Sequence, residues 1–316
     1  MKLARPLAAR ILFGLLSLIF VSFITFLAAE LAPGDAADVL AGEKATVETK
    51  QRIREEMGLD RPWLERYGSF LVGAARFDFG ESYVGTREPV IDSIKRTLPM
   101  TLRIAFWSIL LAAVVALTLG TLAAIYENRW VDQLVLAFST LGVTLPNFVL
   151  APVLVLIFAL QLDVLPTTWE QNRVAPDFYY LVLPVVILSL RPMATLTRLA
   201  RASMIDTLHQ EFIRLAIAKG VPPLRLYLKH GLRNSMLPVV TALGTSFGFL
   251  LTGSFVIETA FALPGVGRLA IESIQRRDEP TIQATTLVAG ALFVLVNLLV
   301  DLIQPLLDPR IRESQI

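Results

Sequence analysis

Six stretches of this chain stay apolar long enough to cross a lipid bilayer: Ile11 to Ala29, Ile104 to Tyr126, Leu134 to Leu162, Phe178 to Leu199, Met236 to Ile257 and Ala284 to Leu307. A hydrocarbon core about 30 Å thick takes roughly 20 helical residues, so each stretch predicts a transmembrane helix. The first has 19 residues without a charge and follows Lys2, Arg5 and Arg10, a flank that signal peptides share. It is long for the apolar region of a signal peptide, and a membrane span is the better reading. The third stretch contains Pro146 and Pro152, and the fourth contains Pro184 and Pro192. Proline removes a backbone donor and crowds the preceding turn, so both helices are expected to kink.

Six spans put both termini on one side, and the basic residues say which. Three precede the first span, one lies in the turn at Arg129, eight lie between Arg191 and Arg233, and two lie near the C-terminus. The alternate loops, 163–177 and 258–283, hold four together. Lys and Arg are retained on the cytoplasmic side, so both termini and the 191–233 loop are expected there. The segment 30–99 holds ten Lys or Arg against thirteen Asp or Glu and is too long for that rule; parity makes it periplasmic. Within it, Thr46 to Met57 is charged and helix-compatible, and Gly58 can stop the helix. Trp63, Tyr67, Phe70, Phe77, Phe79 and Tyr83 then form an interfacial belt and loop packing, or a docking surface for an external partner.

Composition agrees with lipid as the solvent: 54% of the 316 residues are hydrophobic, 18% are charged and the mean hydropathy is +0.61. The absence of cysteine excludes disulfides and thiolate metal sites, and two histidines leave no cluster for zinc. The net charge of +2 follows from loop topology and does not call for a nucleic-acid partner. Neither a G-x-x-x-x-G-K-[ST] nor an H-E-x-x-H sequence occurs, so no nucleotide or zincin site is expected. Gly244-Thr245-Ser246-Phe247-Gly248 fits the hydrolase pattern G-x-S-x-G, but that motif needs a strand-turn-helix elbow, and here it lies inside an apolar helix. Gly244 and Gly248, four residues apart, are read instead as a close-packing face between helices in lipid. Asn297, Asp301, Glu258 and Arg103 are polar groups at the edges of spans; contact with the headgroup region accounts for them, and an ion relay is the alternative.

The loop from Arg191 to Arg233 is patterned beyond what a connector needs. Ile205, Leu208, Phe212 and Leu215 recur at helical spacing, with Asp206, Glu211, Arg214 and Lys219 elsewhere around the axis. Gly220 suits the C-cap, Pro222-Pro223 prevents continuation, and Lys219 complements the helix dipole. Such a helix either lies on the inner leaflet or is presented to a soluble cytoplasmic partner.

At this loop the chain resembles the permeases of ABC importers, whose cytoplasmic coupling helix inserts into a cleft on the ATPase subunit. In Arg214-Leu215-Ala216-Ile217-Ala218-Lys219-Gly220, Ala216 and Gly220 match the general Glu-Ala-Ala-x-x-x-Gly pattern, while Arg214 and Leu215 depart from it. The dipeptide and oligopeptide branch shares part of that departure, reading Tyr-x-Arg-x-Ala-x-Ala-Lys-Gly, then His-x-Leu-Arg-Asn and Leu-Pro. This chain has Phe212 to Gly220, then His230-Gly231-Leu232-Arg233-Asn234 and Leu237-Pro238. Further matches include Ala32-Pro33-Gly34-Asp35, Gly58-Leu59-Asp60-Arg61-Pro62, Arg66-Tyr67, Leu98-Pro99, Glu258, Pro264-Gly265, Arg277-Asp278, Asn297, Asp301 and Asp308-Pro309-Arg310. Leu263 replaces a usual aromatic, and Glu279 stands where Tyr is common.

The resemblance implies an all-α membrane protein, a single permease domain over residues 1–316 with the type I importer fold. It has a periplasmic insertion at 30–99 after the first helix and a cytoplasmic coupling loop at 200–235. It further implies the first, B-type permease subunit of a di- or oligopeptide importer in a bacterial inner membrane. The implied partners are a second related permease, two cytoplasmic ATPase subunits and a periplasmic or lipid-anchored binding protein. ATP and Mg would be bound by those ATPase subunits, with no cofactor on this chain. Glu211, Phe212, Arg214, Ala216, Lys219 and Gly220 are the expected ATPase contact. An ion-coupled secondary transporter using Asp301 and Glu258 is the alternative.

Overall fold

In lipid, a backbone N–H or C=O left unpaired costs several kcal/mol, so long apolar runs resolve as helices that pair every group internally. A computed structural model of the protein describes residues 4–32, 37, 41, 45–84, 87–169 and 176–307. Among them the regular structure is helical, with one isolated bridge between Glu81 and Pro89. In chain order the helices are α1 (Ala4–Leu31), α2 (Val47–Glu56), α3 (Trp63–Ala74), α4 (Val90–Ile125), α5 (Trp130–Thr144) and α6 (Asn147–Val155). α6 continues through π-helical turns at Leu156–Gln161. Then come α7 (Asp177–Leu208), α8 (Glu211–Ala218), α9 (Pro223–Arg225), α10 (Arg233–Gly253), α11 (Phe255–Ala260), α12 (Val266–Arg276) and α13 (Glu279–Leu307). π-helical residues Leu226–Leu232 join α9 to α10. Ala32 is described while Pro33, Gly34 and Asp35 fall outside the described residues, as do Asp308, Pro309 and Arg310.

Among the described residues five helices are long and apolar enough to cross a membrane, and α5 with α6 forms a sixth candidate broken by 103°. The expected third span, Leu134 to Leu162, is therefore no single kinked rod. Leu145 and Pro146 both take extended backbone, at φ −81°, ψ 120° and φ −67°, ψ 141°. The residue before proline is driven out of the helical region, and here the chain turns at that point. Pro184 and Pro192 act differently: α7 runs through both as one helix, with Pro184, Ile187 and Leu188 buried among neighbours. A proline that neighbouring helices support can be carried within a membrane helix.

The chain forms two compact units. The first comprises Met1–Leu102 and Ala262–Val294. In it, α2 begins at Thr46, whose Oγ1 accepts the Thr49 N–H at 3.3 Å, and ends at Gly58 with φ +64°, as its sequence predicts. Tyr67 of α3 is buried; its ring lies 5.5 Å from that of Phe23 and 5.3 Å from that of Phe26, and its hydroxyl donates to the Ile19 carbonyl at 3.0 Å. Arg66 donates to Glu30 at 2.8 Å and to Glu279 at 2.7 Å, tying α1, α3 and α13 together. Glu279 thus has a structural partner, and Leu263, the other unusual residue, is fully buried. Phe79, Val90, Ile94 and Ala284 make a small core. Trp63 and Phe77 stay exposed, so the aromatic series divides between packing and surface.

The second unit comprises Arg103–Phe261 and Leu295–Ile316. α7 is its central element, with α4, α5, α6 and α10 packed around it. Ala112 and Ala116 of α4 and Ala200 of α7, small residues that let helix backbones approach, pack with Leu196 of α7 and Val239 of α10. Gly248 is buried in α10, and Gly244 lies so close to Val300 of α13 that a Cβ would overlap that side chain.

Gly244→Leu forces Val300 and its helix away and is expected to cost about 1–3 kcal/mol. Gly253→Ala, where an added Cβ meets open space, is the matched control. Thermal unfolding in detergent checks the pair: Gly244→Leu melts lower and Gly253→Ala stays near wild type.

Candidate functional site

The predicted amphipathic stripe through Ile205, Leu208, Phe212 and Leu215 does not lie on one helix. α7 carries the first two and ends at Leu208, where the His209 N–H bonds back to Ile205 and the Gln210 N–H to Thr207. After this break the eight-residue α8 starts anew at Glu211, an acid in the first turn that complements the positive helix end. The region expected to be a loop from Arg191 is thus mostly helix, with turns confined to 209–210 and 219–222.

Helix α8 buries a face about 100° around its axis from the one that carries Phe212 and Leu215. Ile213 and Ala216 turn inward against Leu226, with Leu208, Val221 and Tyr227 packed around them. Phe212 is 39% exposed, Leu215 56% and Ile217 58%. Glu211, Arg214, Lys219 and Gly220 are exposed as well. Of the six expected contact residues, five therefore share an open surface, and Ala216 supports α8 from behind. The physical reason is spacing: 213 and 216 are one turn apart on α8, so the face carrying 212 and 215 is rotated away.

The end of α8 is fixed by hydrogen bonds. The Val221 N–H donates to the Ala216 carbonyl at 3.1 Å and the Gly220 N–H to Ile217 at 2.9 Å, the reciprocal pair of a Schellman cap. Gly220 stands at its left-handed position, φ +75°, which a side chain would strain although nothing lies within 4 Å of an added Cβ. Pro222 then ends any continuation.

Two turns before the end of α7 is an ion pair that sequence spacing gives no reason to connect. Arg201 of α7 grips Asp132 of α5 through Nε at 2.5 Å and Nη2 at 2.7 Å. The Asp132 side chain is only 3% exposed, and Oδ2 also accepts the Asn128 N–H at 2.9 Å. Asn128, at φ 60°, makes the α4–α5 turn. A bidentate guanidinium and a backbone donor together offset much of the cost of burying the carboxylate. One turn or two farther on, His209 lies 4.0 Å from Glu127. The available sequence signal was Asp132 itself, the one carboxylate between Glu127 and Asp163.

Among the other polar candidates, Glu258 is fully buried and accepts from Ser254 Oγ at 2.8 Å, so headgroup contact does not account for it. Arg103 donates to Asp177 at 3.3 Å with both side chains nearly half exposed. Ser246 lies within continuous α10, without the elbow that a hydrolase nucleophile needs.

Comparison with known proteins places these features. The family described as "Binding-protein-dependent transport system inner membrane component" matches residues 116–313, and its N-terminal companion matches residues 3–105. The glutathione transport system permease protein GsiC of Escherichia coli K12 is 38% identical over 302 residues, 95% of this chain and 97% of that protein. GsiC of Shigella flexneri serotype 5b is equally similar. Among solved structures, an inward-facing crystal form of the MetNI methionine ABC transporter aligns with a TM-score of 0.54 at 17% identity. That alignment covers 72% of this chain and 99% of that one, and gives the type I importer permease fold.

Asp132→Ala leaves Arg201 without its carboxylate and is expected to destabilise the chain by about 3 kcal/mol, the low end for a buried pair because Arg201 is 20% exposed. Asp132→Ala with Arg201→Met is expected to cost less than the two single changes summed. Denaturation of the four proteins in one detergent gives the cycle; additive losses would mean that the two residues act independently.

Proposed function

The chain belongs to the family of binding-protein-dependent transport system inner membrane components and is a permease subunit of an ABC importer; on that footing we propose that it passes peptides or peptide-like solutes inward, with α8 as the contact through which ATPase subunits move it. Membership makes it a multi-span inner-membrane transport component rather than an enzyme. The ion-coupled and hydrolase readings lose their motivation accordingly.

The observation that carries the proposal is the open face of α8. An isolated helix of eight residues is unstable in water, yet this one is capped at its C-terminal end and packed from behind while Phe212, Leu215 and Ile217 stay uncovered. Glu211, Arg214 and Lys219 interleave with those apolar residues. An apolar centre within a charged rim is the anatomy of a protein contact. The ATPase subunits, which hold ATP and Mg, would grip this surface and shift the permease between inward- and outward-facing states as a rigid-body change. Phe212, Leu215, Arg214, Glu211 and Lys219 form the contact, and Ala216, Ile213 and Gly220 hold its shape.

The same reading places both termini and α8 in the cytoplasm and the 30–99 segment outside, where a binding protein delivers the solute. A second, related permease completes the path. Peptide-like cargo is favoured by the 38% identity to a glutathione permease and by the match to the dipeptide and oligopeptide branch.

Phe212→Asp with Leu215→Asp puts charge on the open face without touching the buried one. In proteoliposomes holding permeases, ATPases and binding protein, ATP-driven uptake is expected to fall at least tenfold while ATPase subunits alone hydrolyse ATP as before. Unchanged uptake by the double variant would remove α8 from the coupling path.

A further inference from the structure

Arg191 lies in α7, the 32-residue helix Asp177–Leu208. A hydrocarbon stretch of about 20 residues placed anywhere along that helix contains position 191, so this arginine falls within the span. Charged side chains at that depth are rare, and those that occur face a bundle interior or a water-filled cavity and mark substrate or ion pathways. Arg191 is exposed, and its guanidinium makes no hydrogen bond or ion pair with another described residue.

It lines a cavity of about 650 Å³ within the second unit, together with Asn147, Thr195, Thr245, Ser246 and Thr252. Pockets that hold small molecules run from about 300 to 1,000 Å³. The polar groups around the arginine have a common orientation of chemistry. Thr195 Oγ1 donates to the Arg191 carbonyl at 3.1 Å, Thr245 Oγ1 to Thr241 at 3.4 Å and Thr252 Oγ1 to Phe249 at 3.2 Å. With their protons committed to helix carbonyls, these hydroxyls offer lone pairs, which accept from N–H or ammonium groups. Asn147 opens α6 directly after the break at Leu145 and Pro146, and irregular backbone at membrane depth is tolerated where it is buried in protein or lines a water-filled cavity.

We infer that this cavity is a solute-binding site on the translocation path and that Arg191 takes a carboxylate of the passing solute while the threonine oxygens accept from its N–H groups. The inference rests on the transport role proposed above and specifies the cargo: a small, carboxylate-bearing, amide-rich molecule. A guanidinium fork matches a carboxylate bidentately, and a lysine at the same place supplies charge without that geometry. Because conduction requires release, the site would bind weakly and act by selection.

The test uses the assembled complex with its binding protein in proteoliposomes. An equimolar mixture of glutathione, trialanine and trialanine amide is offered with ATP inside the ATPase compartment, and the accumulated molecules are measured by mass spectrometry. Wild type, Arg191→Gln and Arg191→Lys are compared, so that selection by the binding protein cancels. Arg191→Gln is expected to lower the trialanine-to-amide ratio at least tenfold, with ATP hydrolysis stimulated by the binding protein kept within twofold, and Arg191→Lys is expected to restore part of the ratio. A ratio within twofold of wild type in Arg191→Gln overturns the inference. So does loss of the second permease from the Arg191→Gln complex on size exclusion, which would make Arg191 an intersubunit contact. If wild type accumulates none of the three with ATP, the transport role proposed above fails for this class of cargo, and the carboxylate site fails with it; that failure shows in wild type and not in the variants.

Discussion

Asp132 and Arg201 bind the later turns of α7 to the head of α5, and the geometry of the proposed coupling surface follows from that grip. Leu208, where α7 ends, is seven residues beyond Arg201, roughly 10 Å along the axis. A carboxylate 3% exposed and bonded to a guanidinium fork and a backbone N–H has few alternative arrangements. It resists rotation or sliding of α7 relative to α5, so under the role proposed for α8 a push there would reach both helices.

The membrane imposes the complementary constraint. With backbone polar groups obliged to pair internally, a chain in lipid can depart from helix only where protein or an aqueous cavity receives the exposed groups. The described spans depart from it sharply at Leu145 and Pro146, and the residue that follows, Asn147, lines the cavity that contains Arg191. Stability and the proposed transport path thus meet at α7: it packs against α4 and α10, Arg201 bonds it to α5, and Arg191 lines the cavity at its side.

Features encoded by local chemistry were legible in the sequence. Thr46 and Gly58 bounded α2, Gly220 and Pro222 ended α8, and apolar run length located five helices. Features decided by tertiary packing were not. Four prolines at equivalent places in apolar runs read alike, yet Pro146 breaks the chain by 103° while α7 carries Pro184 and Pro192 between neighbouring helices. The stripe from Ile205 to Leu215 is spaced for one helix, but a break at His209 and Gln210 resets its phase, so α8 turns Ile213 and Ala216 inward while Phe212 and Leu215 stay open. Asp132 and Arg201 stand 69 residues apart, and only the fold brings them together. The topology rule reads Arg191 as a loop cation, whereas α7 continues past it to Leu208.

The central claim, that α8 is the surface through which ATP-driven motion enters this chain, is tested most directly by position-specific cross-linking. The chain has no cysteine, so Leu215→Cys provides its sole thiol. With a cysteine-free set of partners carrying one thiol in the ATPase cleft, an oxidant or short bifunctional reagent reports contact. The account predicts a cross-linked permease–ATPase species that forms in high yield and arrests uptake, with reversal on reduction. ATP-driven uptake in a complex where residue 215 stays accessible to a bulky soluble maleimide, and never joins the ATPase, would contradict it.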